Sequence, residues 1–452
     1  MILQLLSIAR NAFVEGLRQP IFLVLVLLSG IFQFFTTWGT GFSMGYEDTS
    51  EVSGDNKLLL DIGLGTIFVM GMLLAAFVAT AVVSREIENK TVLTVVSKPV
   101  GRPVLILGKY LGVAGAIMIA VTIMLVFLLF GIRHGVMSTA ADTLDGPVLT
   151  FSCSAVFLAL ALAAWCNFFY GWSFPQMSVV FMAPLAVLAY AAVLVVSKQW
   201  TWQSVGHDFK PQIMVASASL ALAILVLTAV AVAASTRLGQ VMTIVVCAGV
   251  FVLSLLSNHL IGRFAYANDH GVGAISKAVS TDPTRTDFRS SGDTYTVELE
   301  SVPRRAIKPG DSFYYGPNPS GAFLYVPAFA PFTGKLDSSS SLLGAGAEPA
   351  VIVTEFHDRT LTVRNVGARP VPVERPPEKG DFVFLGPTRV NRVAAVVWAA
   401  LPNLQHFWLL DAVSQNQQVP PGHAWTIAAY AAVQVCAALA VAVILLQKRD
   451  VG

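Results

Sequence analysis

The chain has 452 residues, of which 55% are apolar and only 12% charged, with a formal net charge of +2. A soluble domain carries about 25% charged residues, so a bilayer is the natural solvent for most of this chain. So small and scattered a positive charge excludes nucleic-acid binding by phosphate neutralisation.

Residues 2–17 place Ile2, Leu5, Leu6, Ala9, Ala12, Phe13 and Leu17 near one helical face, opposite Arg10, Asn11, Glu15 and Arg18. That pattern predicts an interfacial amphipathic helix over 1–19. It is not read as a cleaved leader, because no small-x-small site follows the apolar run. A helix needs about 20 apolar residues to cross a ~30 Å hydrocarbon core. Runs of that kind recur near 21–40, 62–83, 105–131, 150–170, 176–196, 213–235, 241–261 and 424–446, which predicts eight spans. Asn167, Pro175, Gln176 and Pro184 interrupt the fourth and fifth, so a broken or re-entrant pair stays open there.

Lys and Arg in short loops are retained on the cytoplasmic side during insertion. Nine of them (Arg10, Arg18, Arg85, Lys90, Lys98, Arg102, Arg237, Lys448 and Arg449) fall on one side, against four (Lys57, Arg133, Lys198 and Lys210) on the other. Both termini are therefore expected in the cytoplasm.

Between 263 and 392 the composition changes: fifteen Lys or Arg and fourteen Asp or Glu lie here, over half of the charged residues in the chain. Alternating stretches at 295–299, 351–355 and 361–364, punctuated by Pro-Gly-Asp, Gly-Pro-Asn and Lys-Gly-Asp turns, predict short antiparallel strands in a small sandwich-like module. Parity places this module outside the cytoplasm. Its stretch Asp337-Ser338-Ser339-Ser340-Ser341 reads as a flexible loop. Segment 393–423 begins apolar but is broken at Pro402-Asn403, which suggests a short helix dipping into the outer leaflet before the last span and tail at 424–452. The expected fold is an all-α polytopic membrane helix bundle of about eight spans, 20–262 and 424–452, with an inserted extracytoplasmic mostly-β domain at 263–392.

The most informative connector is the cytoplasmic loop within 84–104. It carries Arg85, Glu86, Glu88, Asn89, Lys90, Thr91, Ser97, Lys98, Pro99 and Arg102, and runs on to Gly108-Lys109 in the third span. A short charged helix ended by Pro99 suits docking in a cleft of a soluble partner. The alternative for the same residues is an ordinary set of interfacial charges that orients spans two and three. The stretch resembles the signature of type-2 ATP-binding-cassette permeases, where an acidic-basic start, a Thr, Ser-x-Pro-Val and Gly-Lys recur in this order. Its Asn-Lys-Thr and Ser-Lys-Pro-Val are similar to the permease component associated with multicopper-enzyme maturation. A second resemblance covers Pro402, Asn403, Phe407, Asp411, Arg449 and Asp450. Two departures stand out: Lys90 occupies the place of the usual Gly before the Thr, and the usual six spans have become eight.

That resemblance implies the permease subunit of an exporter, driven by a separate ATPase docking on residues 84–102 and pairing with itself or a homologue in the plasma (inner) membrane. The alternative is mechanotransmission, in which ATPase closure works an extracytoplasmic partner through the β domain without moving a substrate. No cofactor is expected in this chain; ATP and Mg belong to the partner ATPase. The only approach to a phosphate-binding loop, Gly101 to Gly108-Lys109, has six residues between its glycines and Tyr110 where Ser or Thr would bind magnesium.

No Ser-His-Asp constellation is evident. The cysteines Cys153, Cys166, Cys247 and Cys436 lie in apolar runs with no CxxC, and the seven histidines form no HExxH or HxxH, so no metal site is expected. Asn167 and Gln434 are the polar exceptions noted within the spans, read as interhelical hydrogen-bonding residues.

Overall fold

The computed structural model describes residues 2–39, 51–84, 101–136, 143–282, 284, 287–409 and 421–447. The chain divides into two units, Met1–Leu255 with Leu404–Gly452, and Leu256–Asn403.

The first unit is helical: α1 Ile2–Leu17, α2 Pro20–Gly39, α3 Glu51–Ala79, α4 Arg102–His134, α5 Gly146–Tyr170, α6 Phe174–Val195, α7 Pro211–Ser235 and α8 Gln240–Ser257. The last helix of this unit, Pro421–Gln447, comes after the second unit in the chain. Among the described residues eight helices are long and apolar enough to cross a membrane. α3, α4 and α7 form the enclosed centre, whereas the spans of α5, α8 and the last helix are only 22% buried. The fourth and fifth spans are two separate helices joined by a tight turn. Gly171 ends α5 in the left-handed conformation at φ 67°, Asn167 Nδ2 donates to the Trp172 carbonyl at 2.6 Å, and Pro175 sits in the first turn of α6.

α1 does not stand apart from the bundle. Its face Leu5, Ile8, Ala9, Ala12 and Phe13 lies on α4, where Gly108 and Gly112 leave room for its backbone. A Cβ on Gly112 would fall 2.3 Å from the Ala9 carbonyl oxygen and 2.8 Å from the Phe13 nitrogen. Small residues one turn apart allow this approach, the usual device for helix contact in lipid. Ile2, Leu3 and Leu6 remain exposed.

The second unit holds strands β1 Tyr266–Ala267, β2 Gly271–Ser280, β3 Thr294–Leu299, β4 Tyr314–Gly316, β5 Ala350–His357, β6 Thr360–Val366, β7 Phe382–Phe384 and β8 Arg389–Val390. It also holds helices α9 Ser339–Leu343 and α10 Arg392–Ala400, so that Pro421–Gln447 is α11. Six strands form one antiparallel sheet in the order β4-β7-β2-β3-β6-β5, and β1 pairs with β8. The sheet curls shut where the sequence pattern suggested two layers. Phe313 N donates to Val351 O at 2.7 Å and Val353 N to Asp311 O at 2.9 Å, so the segment leading into β4 pairs with β5.

Three Gly-Asp turns recur in this unit, at Ser290–Asp293, Lys308–Asp311 and Glu378–Asp381. In each, the aspartate carboxylate accepts from the nitrogen three residues back, at 2.7, 2.8 and 3.0 Å. The glycine has φ between 93° and 97° and donates its own nitrogen to a strand carbonyl, of Asn365, Val353 or Ile275. Only glycine adopts that conformation without strain. The serine-rich stretch is partly helical as α9, with Leu342 packed beside Ala350, Ile352 and Val366, because one apolar side chain anchors it.

Candidate functional site

One end of the helical unit gathers Arg18, Arg102 and Arg237, three of the basic residues assigned from sequence to the cytoplasm. Arg102 donates to Gln447 O at 3.5 Å, Arg237 Nε to Leu445 O at 2.9 Å, and Arg18 Nε to Gln176 Oε1 at 3.0 Å. The first two meet the carbonyl end of α11, where the helix dipole favours a cation.

The connector between α3 and α4 is rooted at this end. Arg85, Glu86, Glu88, Asn89, Lys90, Thr91, Ser97, Lys98 and Pro99 lie outside the described residues. Both roots are visible. α3 changes at its end into a π-helical turn, Thr80–Ser84, whose five residues are all buried. Such turns widen the helix locally and often mark functional positions. Across from it, Lys109 is 5% exposed and its Nζ donates to Val82 O at 3.3 Å. A buried ammonium must be hydrogen-bonded to persist, so this contact fixes the start of α4 to the end of α3. Tyr110 OH donates to Leu225 O at 3.4 Å, bringing α7 into the same junction.

The second expected group divides between the two units. In the β-rich unit Asn403, 2% exposed, donates from Nδ2 to Asn258 Oδ1 at 2.8 Å, within a second π-helical turn, Asn258–Gly262. Pro402 beside it is buried. In the helical unit Leu404 N donates to Ser254 Oγ at 2.7 Å, and Phe407 lies 5.9 Å from Tyr430 of α11. Burial, then the His423 charge, lower the pKa of the neighbouring His406. Asp411, Arg449 and Asp450 lie outside the described residues.

At the end of the bundle opposite Lys109, Arg133 joins three elements. Its guanidinium is 3.0 Å from Asp145 Oδ2 and 2.9 Å from Asp208 Oδ2, and Asp145 also caps α5 through Val148 N. Burial pushes the Asp208 carboxyl up, but hydrogen bonds from Gln203 and His207 and the Arg133 charge outweigh it and hold it below the usual carboxylate range. Beside this network α2, α4 and α5 enclose an apolar cleft of ≈ 500 Å³. Gln33 contributes to its wall, a residue the sequence reading passed over. The amide inside an otherwise apolar run was the available signal.

Among the described residues no three His, Cys, Asp or Glu side chains gather to hold a metal ion. Asn167 serves its local turn, and Gln434 is buried in α11.

Residues 6–170 match the family model described as ABC-2 family transporter protein. This ABC-2 match runs from α1 to the last residue of α5, so it takes in the α3–α4 connector, the Lys109 contact and the apolar cleft. It supports a membrane permease component of an ABC transporter. Comparison with curated proteins and with solved structures gave no match.

Proposed function

We propose that this protein is the permease subunit of an ABC exporter, and that a separate cytoplasmic ATPase docks on its 84–102 connector. The observation that carries this is the ABC-2 match over residues 6–170. The buried Lys109–Val82 contact supports it, because a push on the connector reaches α3 and α4 together. Both termini face the cytoplasm and the β-rich unit lies on the far side, in keeping with the basic cluster of Arg18, Arg102 and Arg237 at one end. Two such chains, or one and a homologue, pair in the plasma (inner) membrane. The kinship with permeases of multicopper-enzyme maturation belongs to the same reading and rests on Asn89-Lys90-Thr91 and Ser97-Lys98-Pro99-Val100.

A closed ATPase dimer moves the spans only if it binds one arrangement of the connector better than the other. The test is Glu86→Lys with Glu88→Lys in the full chain, co-expressed with its ATPase. The double variant is expected to insert normally and lose the ATPase on purification; retention of the ATPase overturns the docking site. In proteoliposomes, ATP hydrolysis stimulated by a small molecule fits transport. Stimulation by a protein alone fits transmission through the β-rich unit.

A further inference from the structure

We infer that helix α10, with Phe264 and Phe323 beside it, is a foot by which the β-rich unit rests in the surface of the phospholipid bilayer, its valines among the acyl chains and three arginines at the lipid phosphates. This takes up the leaflet-dipping expectation for 393–423, and it rests on the eight spans rather than on the permease reading.

α10 is fastened at both ends to the closing turns of one span. Asn391, which caps the helix through Val393 N and Ala394 N, donates its own nitrogen to Ala265 O at 2.9 Å, and Trp398 Nε1 donates to Asn258 Oδ1 at 3.1 Å. The helix therefore runs back along residues 258–265, from the end of the span inward. That span, Gln240–Ala265, has 26 residues. At 1.5 Å per residue it measures about 39 Å, against a ~30 Å hydrocarbon core, so its closing turns reach the head-group layer and α10 lies beside them there.

The outward face of α10 fits that place. Val393, Val396 and Val397, at i, i+3 and i+4, share one helical face and are 76%, 70% and 49% exposed. Phe264 and Phe323 are more than half exposed, and Trp398 lies 5.8 Å from Tyr266 and 6.0 Å from Phe323. Phe323 comes from the segment after β4, so the sheet itself contributes to the patch. Apolar surface gathered in one place marks a contact.

The charges identify the contact. Arg263, Arg389 and Arg392 are exposed and sit at the Ala265 end: Arg392 opens α10, Arg389 pairs with Ala267 across β1 and β8, and the Arg263 guanidinium lies 4.7 Å from the Phe264 ring centroid. Val396 and Val397 lie about 6–8 Å further in by helical rise. Cations outside and valines within follow the gradient of a leaflet, phosphate and then chain. Nothing about a protein partner dictates that order along the span.

The experiment uses the full chain in phosphatidylcholine nanodiscs, open to reagent on both faces, with Cys153, Cys166, Cys247 and Cys436 replaced by alanine. Single cysteines at Arg392→Cys, Val396→Cys or Phe323→Cys carry the fluorophore NBD. Quenching is read with iodide in water, with a nitroxide on the lipid head group and with a nitroxide near the top of the acyl chain. The label at position 396 is expected to be quenched about twofold more by the chain nitroxide than by the head-group nitroxide, and the label at 392 the reverse, since their levels differ by about 6 Å within a ~15 Å half-core. Strong iodide quenching at 396 overturns the proposal, because the face is then in water. So does shielding from all three quenchers, because a second copy or another part of the chain then covers it. Val393→Asp with Val397→Asp, which changes only exposed side chains, should expel the foot. The label at Phe323→Cys is then expected to lose head-group quenching and gain iodide quenching; an unchanged label also overturns the proposal. No ATPase is present, so either outcome leaves the connector reading untouched.

Discussion

The two ends of the helical unit solve the same packing problem in opposite ways. At the Lys109 end glycines bring the backbones of α1 and α4 into contact, and a buried ammonium fastens α4 to α3. At the Arg133 end the helices are held by an ion-pair network around the guanidinium, and a cleft is left between α2, α4 and α5. Close packing transmits displacement, because a packed interior yields little, whereas the cleft leaves the Arg133 end less tightly filled.

The comparison breaks most sharply at Asp145, which is fully buried. Asp145→Ala leaves Arg133 short of one partner and removes the α5 cap, so a loss of about 3 kcal/mol is expected. The measure is the denaturation midpoint of the full chain in detergent, with the Lys109 end still protected from proteolysis. Gly112→Ala attacks the other end. Its new methyl has no room against α1, and about 2 kcal/mol of overpacking should appear as cleavage within residues 2–17. Gly249→Ala is the matching control, since nothing lies within 4 Å of that site.

Acid offers a smaller, graded probe. Because the Asp208 pKa is lowered in the folded chain, its stabilisation is fully present above the unfolded value of about 3.9 and is lost as pH falls through the folded value. Between pH 5 and pH 3 the wild-type midpoint should therefore fall more steeply than that of Asp208→Asn. The smallest effect is expected at Arg102→Ala: its bond to Gln447 is long and exposed, and a change within about 0.5 kcal/mol is predicted.

Span number and bounds were legible because a bilayer sets the length of an apolar run, and the run near 213–235 became α7 Pro211–Ser235. The face of α1 was legible from its periodicity, but what it packs on was not. Gly108 and Gly112 become a seat only once α4 is known to lie across Ala9. The strands at 295–299, 351–355 and 361–364 were visible as alternation and lie within β3, β5 and β6. Closure of the sheet was not, since it depends on residues 311 and 353 meeting, a pairing no local pattern encodes. The sequence pointed to the 84–102 connector by its motif; the structure describes its roots, Ser84 and Arg102. Lys109 appeared in the sequence as half of a Gly-Lys pair, and its Val82 partner lies across a helix junction.

The six-stranded sheet of the second unit carries one last implication. Residues 310–313 pair with β5 at Val351–Val353, and Tyr325 N donates to Tyr315 O beside β4, so among the described residues part of each outer strand is already taken where an incoming peptide would add a strand. That partial cover shortens the edge through which two such sheets could pair.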